Sequence, residues 1–189
     1  MGANHFILWF WKVSFPAPFI CSIVHSNSNI SLIDENRELI GSAGAMEQII
    51  QAIKVHGTSL HVAESATLIL RDLTENADKK VSIVWLGGIA CVIGVLRAFL
   101  DSATVCENAC AILLRLAYNN DTNSASIGHE GGIPPIITAM TKHHENAAVC
   151  QWACCALWNL MLNNMTDNRK MIAQYGGITA IICLLYTSR

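Results

Sequence analysis

Apolar residues along most of this chain recur at helical spacing. Ile133, Ile136, Ile137 and Met140 fall on one face of a helix, because residues three and four apart stack on the same side. Ala147 to Leu162 predicts a longer helix whose Ala and Cys side chains are small enough for neighbouring helices to approach closely. Asp167 to Gln174 predicts a short one, with an acidic first residue suited to the positive end of the helix dipole. Pro134 and Pro135 suit the first turn of their helix, where a missing N–H has no intrahelical partner to lose. Period-two alternation is absent over these spans, so strands are not expected.

The helical pattern repeats. Gly87-Gly88-Ile89, Gly131-Gly132-Ile133 and Gly176-Gly177-Ile178 recur at spacings of 44 and 45, with a weaker copy at Gly44-Ala45-Met46. Asn36-Arg37 with Ile40 and Gly44 matches Asn168-Arg169 with Ile172 and Gly176. Upstream of the glycines, Cys106 to Asn120 matches Cys150 to Asn164 at a constant offset of 44, and Ala66 to Leu73 is an earlier version. Each unit reads as a short helix, a Gly-Gly corner, a second helix, a loop and a long apolar third helix. Four units are expected, the first and last partial, with third helices near 60–76, 103–119 and 147–163. A period of this length marks a stacked array rather than a closed domain.

Three helices per unit, the Gly-Gly-Ile corners and the Ala156-Leu157-Trp158-Asn159-Leu160 stretch resemble the armadillo repeat family over residues 31–182. The two-helix HEAT repeat is the alternative, but it lacks the double-glycine corner. The resemblance implies an all-α fold, a right-handed α-solenoid of armadillo-type three-helix repeats. It also implies that the third helices line a concave groove where a protein or peptide partner lies. The family's ladder position, the Asn of its signature, is held here by Asn159, Arg115 and Asp72. Stepping back along the same face reaches Cys155, Ala111 and Leu68, then Trp152, Asn108 and Ser65. The candidate partner-binding residues are therefore Asp72, Asn108, Arg115, Trp152 and Asn159. Trp152 reads either as a partner anchor or as a residue packed on the next repeat. Importin-alpha proteins pair a Trp with an Asn four residues later; here the Trp position holds Cys155, Ala111 and Leu68. Nuclear-signal binding of that type is not expected from these units.

Composition sharpens this picture at both ends. Four of the five Phe lie in the first 19 residues, and Lys12 is the only charge before Asp34. Pro16, Pro18 and Lys12 interrupt the apolar run from 6 to 24, which argues against a signal peptide or a spanning helix. Residues 1–30 are thus expected to be a leader outside the fold. Cys183 to Ser188 resembles the translation of a sequencing adapter, so 183–189 is set aside as a tail and the chain is expected to be a piece of a longer protein. Without Lys12 and Arg189 the array carries 10 basic and 14 acidic side chains. That balance gives no basic excess, and no nucleic-acid partner is expected.

Eight cysteines invite a metal or disulfide reading. Cys106 and Cys110, like Cys150 and Cys154, share a helix face, but no Cys-x-x-Cys knuckle occurs. They are expected to be reduced, buried small hydrophobes, which favours the cytoplasm or nucleus. His56 and His143 recur at second-helix ends, where a partly protonated imidazole suits the dipole. There is no Gly-x-Ser-x-Gly elbow and no phosphate loop, so neither catalysis, cofactor nor metal is expected. The function expected is a non-catalytic protein-interaction scaffold. The alternatives are a nuclear transport adaptor of importin-alpha type and a membrane-tethered interaction protein, although no membrane partner is expected. Neighbouring repeats of a longer chain are expected partners of the array itself.

Overall fold

The computed structural model describes residues 45–163 and 167–187. Among them every regular element is a helix: α1 (Ala45–His56), α2 (Leu60–Leu73), α3 (Ala77–Trp85), α4 (Gly88–Ala98), α5 (Ala103–Ala117), α6 (Asp121–His129), α7 (Ile133–Lys142), α8 (Ala147–Asn163), α9 (Asp167–Gln174) and α10 (Gly177–Thr187). Two complete three-helix units, α3–α5 and α6–α8, are flanked by the second and third helices of one unit and the first and second of another. This is the all-helical solenoid that the periodicity predicts. The leader at 1–30 and the start of the first unit at 31–44 lie outside the described residues. Residues 183–187, set aside as a tail, continue α10, with Leu184 half-buried against the core.

The two corner glycines do different jobs. Gly87, Gly131 and Gly176 have φ of 77°, 71° and 77°, a left-handed conformation that a Cβ penalises. The second glycine needs space instead. A Cβ on Gly132 would stand 2.9 Å from Ile127 Cγ2 and 3.0 Å from Ile93 Cδ1. On Gly177 it would stand 2.7 Å from Ile172 Cγ2 and 3.1 Å from Ile137 Cδ1. The corner thus packs on its own first helix and on the second helix of the preceding unit. Pro134 and Pro135 occupy the first turn of α7, as their missing donors allow.

The third helices set the register of the core. Ile69, Ile112 and Ala156 are buried in equivalent places, as are Leu70, Leu113 and Leu157, and then Leu73, Leu116 and Leu160. Each buried Leu or Ile contributes about 1.5–3 kcal/mol of transfer free energy. α5 packs against α2 on one side and, more extensively, against α8 on the other.

Short first helices are held by capping and by a buried amide. Asn76 Oδ1 accepts from the N–H groups of Asp78 and Lys79, and Asn120 Oδ1 accepts from Asn123. Inside α6, Asn123 Nδ2 donates to the Leu116 carbonyl at 2.8 Å. One unit on, Asn168 Nδ2 donates to the equivalent carbonyl of Leu160 at 3.2 Å and to Ser124 at 3.0 Å. The Leu116 and Leu160 carbonyls belong to the last turn of a third helix, where no intrahelical donor remains. Lys79 holds the same buried position in α3.

Candidate functional site

The ladder residues sit in one register, each directly preceding a buried leucine: Asp72 before Leu73, Arg115 before Leu116 and Asn159 before Leu160. Asp72, Arg115 and Asn159 are half-buried. Their surroundings are polar and cross from unit to unit. Arg71 Nη1 donates to Glu107 Oε1 at 2.9 Å and to Asn108 Oδ1 at 2.8 Å, and its Nε lies 3.9 Å from Asp72 Oδ1. Arg115 donates through Nη1 to the Arg71 carbonyl and through Nη2 to Glu75 Oε1 at 3.3 Å. Its guanidinium carbon stands 5.7 Å from the centre of the Trp152 ring, within the range of a cation–π contact.

This geometry corrects one expectation and adds a contact to another. Asn108 is buried rather than lining a groove, and its Nδ2 donates to Thr67 Oγ1 at 3.4 Å while its oxygen accepts from Arg71. Its amide is spent between α2 and α5, because an unpaired buried amide is costly and two partners on α2 lie opposite it. Trp152 has a partner within the array. It packs back onto Arg115 of the preceding unit and lies half-buried against the core. Asn159 stands one unit further on, with Nδ2 donating to the Cys155 carbonyl at 3.3 Å.

Three exposed apolar side chains on these helices were not singled out by the sequence. Tyr118 follows α5, and Trp158 and Leu162 lie on α8. The family resemblance placed Trp158 in a signature stretch without showing that its side chain reaches solvent. Arg97, at the end of α4, was also missed; its Nη2 donates to the Glu130 and Gly131 carbonyls at 3.0 and 2.7 Å and so holds the next corner.

The described cysteines are free thiols, most of them placed as small core residues and weak donors, whereas Cys155 and Cys183 are exposed rather than buried as expected. Cys91, Cys106 and Cys110 are buried, and Cys150 and Cys154 half-buried. Burial pushes the Cys91 and Cys106 thiols from 9.0 to about 11, and raises Cys110, Cys150 and Cys154 as well. Cys106 Sγ lies 3.8 Å from the Phe99 carbonyl and 3.7 Å from that of Leu100. Cys150 repeats this at the end of α7, 3.4 Å from the His143 carbonyl and 3.6 Å from that of His144. It meets backbone carbonyls there, not imidazoles. His143 Nε2 donates instead to the Leu100 carbonyl of the preceding unit at 2.9 Å.

No group of three His, Cys, Asp or Glu side chains converges as a metal site among the described residues. A depression of ≈ 580 Å³ at the α7–α8 turn is lined by Lys142 to Ala148, one continuous segment open to solvent. Lys142 there pairs with Asp101, whose carboxyl is held below its ordinary value by that hydrogen bond and the lysine's charge. Among the described residues no single helix is long and apolar enough to cross a membrane; the bent pair α3–α4 together meets the length and composition test.

No curated protein matches the chain. The family model of the Armadillo/beta-catenin-like repeat matches residues 119–162, which takes in α6, α7 and nearly all of α8. Its neighbours repeat the same corner, core register and helix order, and the match supports an armadillo-repeat protein.

Proposed function

We propose that this protein is a non-catalytic interaction scaffold that holds a protein segment along the face of α2, α5 and α8. The observation that carries this reading is the ladder of Asp72, Arg115 and Asn159, one half-buried polar side chain per unit at a fixed register. Armadillo repeats generally mediate protein–protein contact, and this ladder supplies what an extended segment requires. Asn159 uses one amide N–H on its own helix, so its oxygen can accept from a partner's backbone. Trp152 adds an apolar plate stiffened by Arg115, the kind of anchor that concentrates binding energy. The ladder carries one acid, one base and one amide, which suits a partner of mixed charge. Free buried thiols suit a reducing compartment, the cytoplasm or the nucleus.

The test is selection of peptides from a random display library against the full chain. Selected peptides should slow amide exchange along α2, α5 and α8. They should lose at least about tenfold in affinity, or 1.4 kcal/mol, for the Asn159→Ala/Trp152→Ala variant, with helical circular dichroism retained. Undiminished binding to that folded variant would show that the ladder is not the site.

A further inference from the structure

The surroundings of Arg115 are those of a cation site that the chain fills itself. Three acceptors converge on its guanidinium from the units on either side. The Arg71 carbonyl and Glu75 Oε1, the latter at 3.3 Å, belong to the end of α2. The Trp152 ring, its centre 5.7 Å from the guanidinium carbon, belongs to α8. A carbonyl at a helix C-terminus, a carboxylate and the face of an indole all carry negative potential. The space between them therefore suits a positive group.

The end of α2 is built so that this acceptor stays open to side chains. The Thr74 N–H donates to the Leu70 carbonyl, but the Glu75 N–H turns to Asp72 instead of the Arg71 carbonyl four residues back. The Arg71 carbonyl accepts from Thr74 Oγ1 at 2.6 Å and from Arg115. One unit on, the arrangement is different. In the register of the core leucines Arg71 becomes Leu114, whose carbonyl accepts from the Tyr118 N–H in the ordinary helical way. Glu75 becomes Tyr118, and Arg115 becomes Asn159, which bonds within its own helix. The cluster is thus particular to the α2–α5 step and does not follow from stacking. It is also reachable, since the Arg115 side chain is 22% exposed and that of Glu75 47%.

Resting on the scaffold reading above, we infer that Trp152, Glu75 and the Arg71 carbonyl form a cation seat within the binding face, and that Arg115, as its resident occupant, sets specificity at this step. A basic side chain of a bound segment gains nothing there. To enter, it must displace a guanidinium that already makes the same contacts and is held at high effective concentration by its own helix. The α5 step therefore discriminates against Lys and Arg, and a residue without positive charge crosses it. Removing the resident group opens the seat to an arginine from outside, whose planar fork suits a ring face beside two acceptors.

The probe is ethylguanidinium, the fragment that Arg115→Ala removes beyond Cβ. Added to the Arg115→Ala chain, it should raise the thermal midpoint saturably and shift the Trp152 indole N–H resonance, identified by its loss in Trp152→Phe. The wild-type chain should show neither response. Arg115→Ala/Glu75→Gln and Arg115→Ala/Trp152→Leu should need about two- to fivefold more of it for the same rise in midpoint. No response from folded Arg115→Ala, or an equal one from wild type, would overturn the proposal. Where Arg115→Ala does not fold, Arg115→Lys and Arg115→Gln decide. A cation seat keeps the Lys variant the more stable, and a Gln variant of equal or greater stability overturns it. Specificity is read by display selection, in which Arg and Lys should be enriched against Arg115→Ala but not against wild type; equal enrichment removes the role given to Arg115. A wild-type chain that selects no peptide sinks the scaffold reading and the specificity role together, and the ethylguanidinium titration distinguishes that failure from absence of the seat.

Discussion

The guanidinium of Arg115 lies over the ring of Trp152, its central carbon 5.7 Å from the ring centre, with the two residues on successive third helices. The same guanidinium donates to the Arg71 carbonyl on the third helix before and to Glu75 just beyond that helix's end. One side chain therefore ties three units together across the face proposed to bind a partner. A groove held in this way is preorganised, which lowers the ordering cost that a partner must overcome.

The stack predicts a measurable coupling. Arg115→Ala should destabilise the chain by about 1–3 kcal/mol, since it removes a charged donor from a carbonyl and the cation from the ring. Trp152→Ala should cost less when Arg115 is already absent. A double-mutant cycle by urea unfolding should return about 0.5–1 kcal/mol of coupling between the two. Additive effects would mean that the contact contributes nothing to stability.

The buried amides predict a second effect. Asn168→Ala strips a side-chain donor from the Leu160 and Ser124 carbonyls, and losing the partner of a buried polar group costs about 1–3 kcal/mol. Asn123→Ala should cost a similar amount through the Leu116 carbonyl. Thermal unfolding should show both, and hydrogen exchange should locate the loosening at the junction of the first helix with the preceding third helix. Asn159→Ala, at a half-buried residue whose bond is local to its own helix, should move the midpoint little.

How much of this was legible in the sequence depends on the range of each interaction. The corners, the helix order and the register of Asp72, Arg115 and Asn159 followed from periodicity, because burial repeats with the period of the units. The role of Asn108 did not. Its partners Thr67 and Arg71 lie 41 and 37 residues earlier, and only stacking shows that they stand opposite. The reversed direction of Trp152 was hidden for the same reason. Asn168 matches Asn36 in sequence, and among the described residues its counterpart is Asn123, which donates to the equivalent carbonyl. Local residue matching missed this, since the unit length shifts from 44 to 45 between those copies.

The two glycines of a corner should fail differently. Gly176→Ala meets no neighbour within 4 Å but must adopt φ of 77°, which costs about 1–2 kcal/mol. Gly132→Ala has an acceptable backbone, with φ of −73°, but forces its methyl against Ile127 and Ile93. Overpacking of this kind costs about 1–3 kcal/mol. Gly176→Asn should recover part of the first loss, because Asn tolerates the left-handed region. Gly132→Asn should be worse than Gly132→Ala. Equilibrium unfolding of the four variants distinguishes a conformational from a steric requirement.

The thiols predict a pH dependence whose sign is fixed by burial. Cys106 and Cys91 are raised from 9.0 to about 11, chiefly because burial disfavours the thiolate. The folded chain then holds these protons more tightly than the unfolded chain does. Their contribution to stability is complete below the unfolded thiol pKa, near 9, and is lost as pH rises through about 11. Unfolding free energy should therefore be insensitive to these groups from pH 7 to about 9 and fall above it. Cys106→Ala should flatten that decline while lowering stability at neutral pH, because its Sγ contacts to the Phe99 and Leu100 carbonyls are lost. In the folded chain at pH 7, exposed Cys155 and Cys183 should react with a thiol reagent well before Cys106 or Cys110. If Cys106 labelled as fast as Cys155, the α4–α5 seam would be opening on the timescale of the reaction, and its packing would be looser than the buried core register requires.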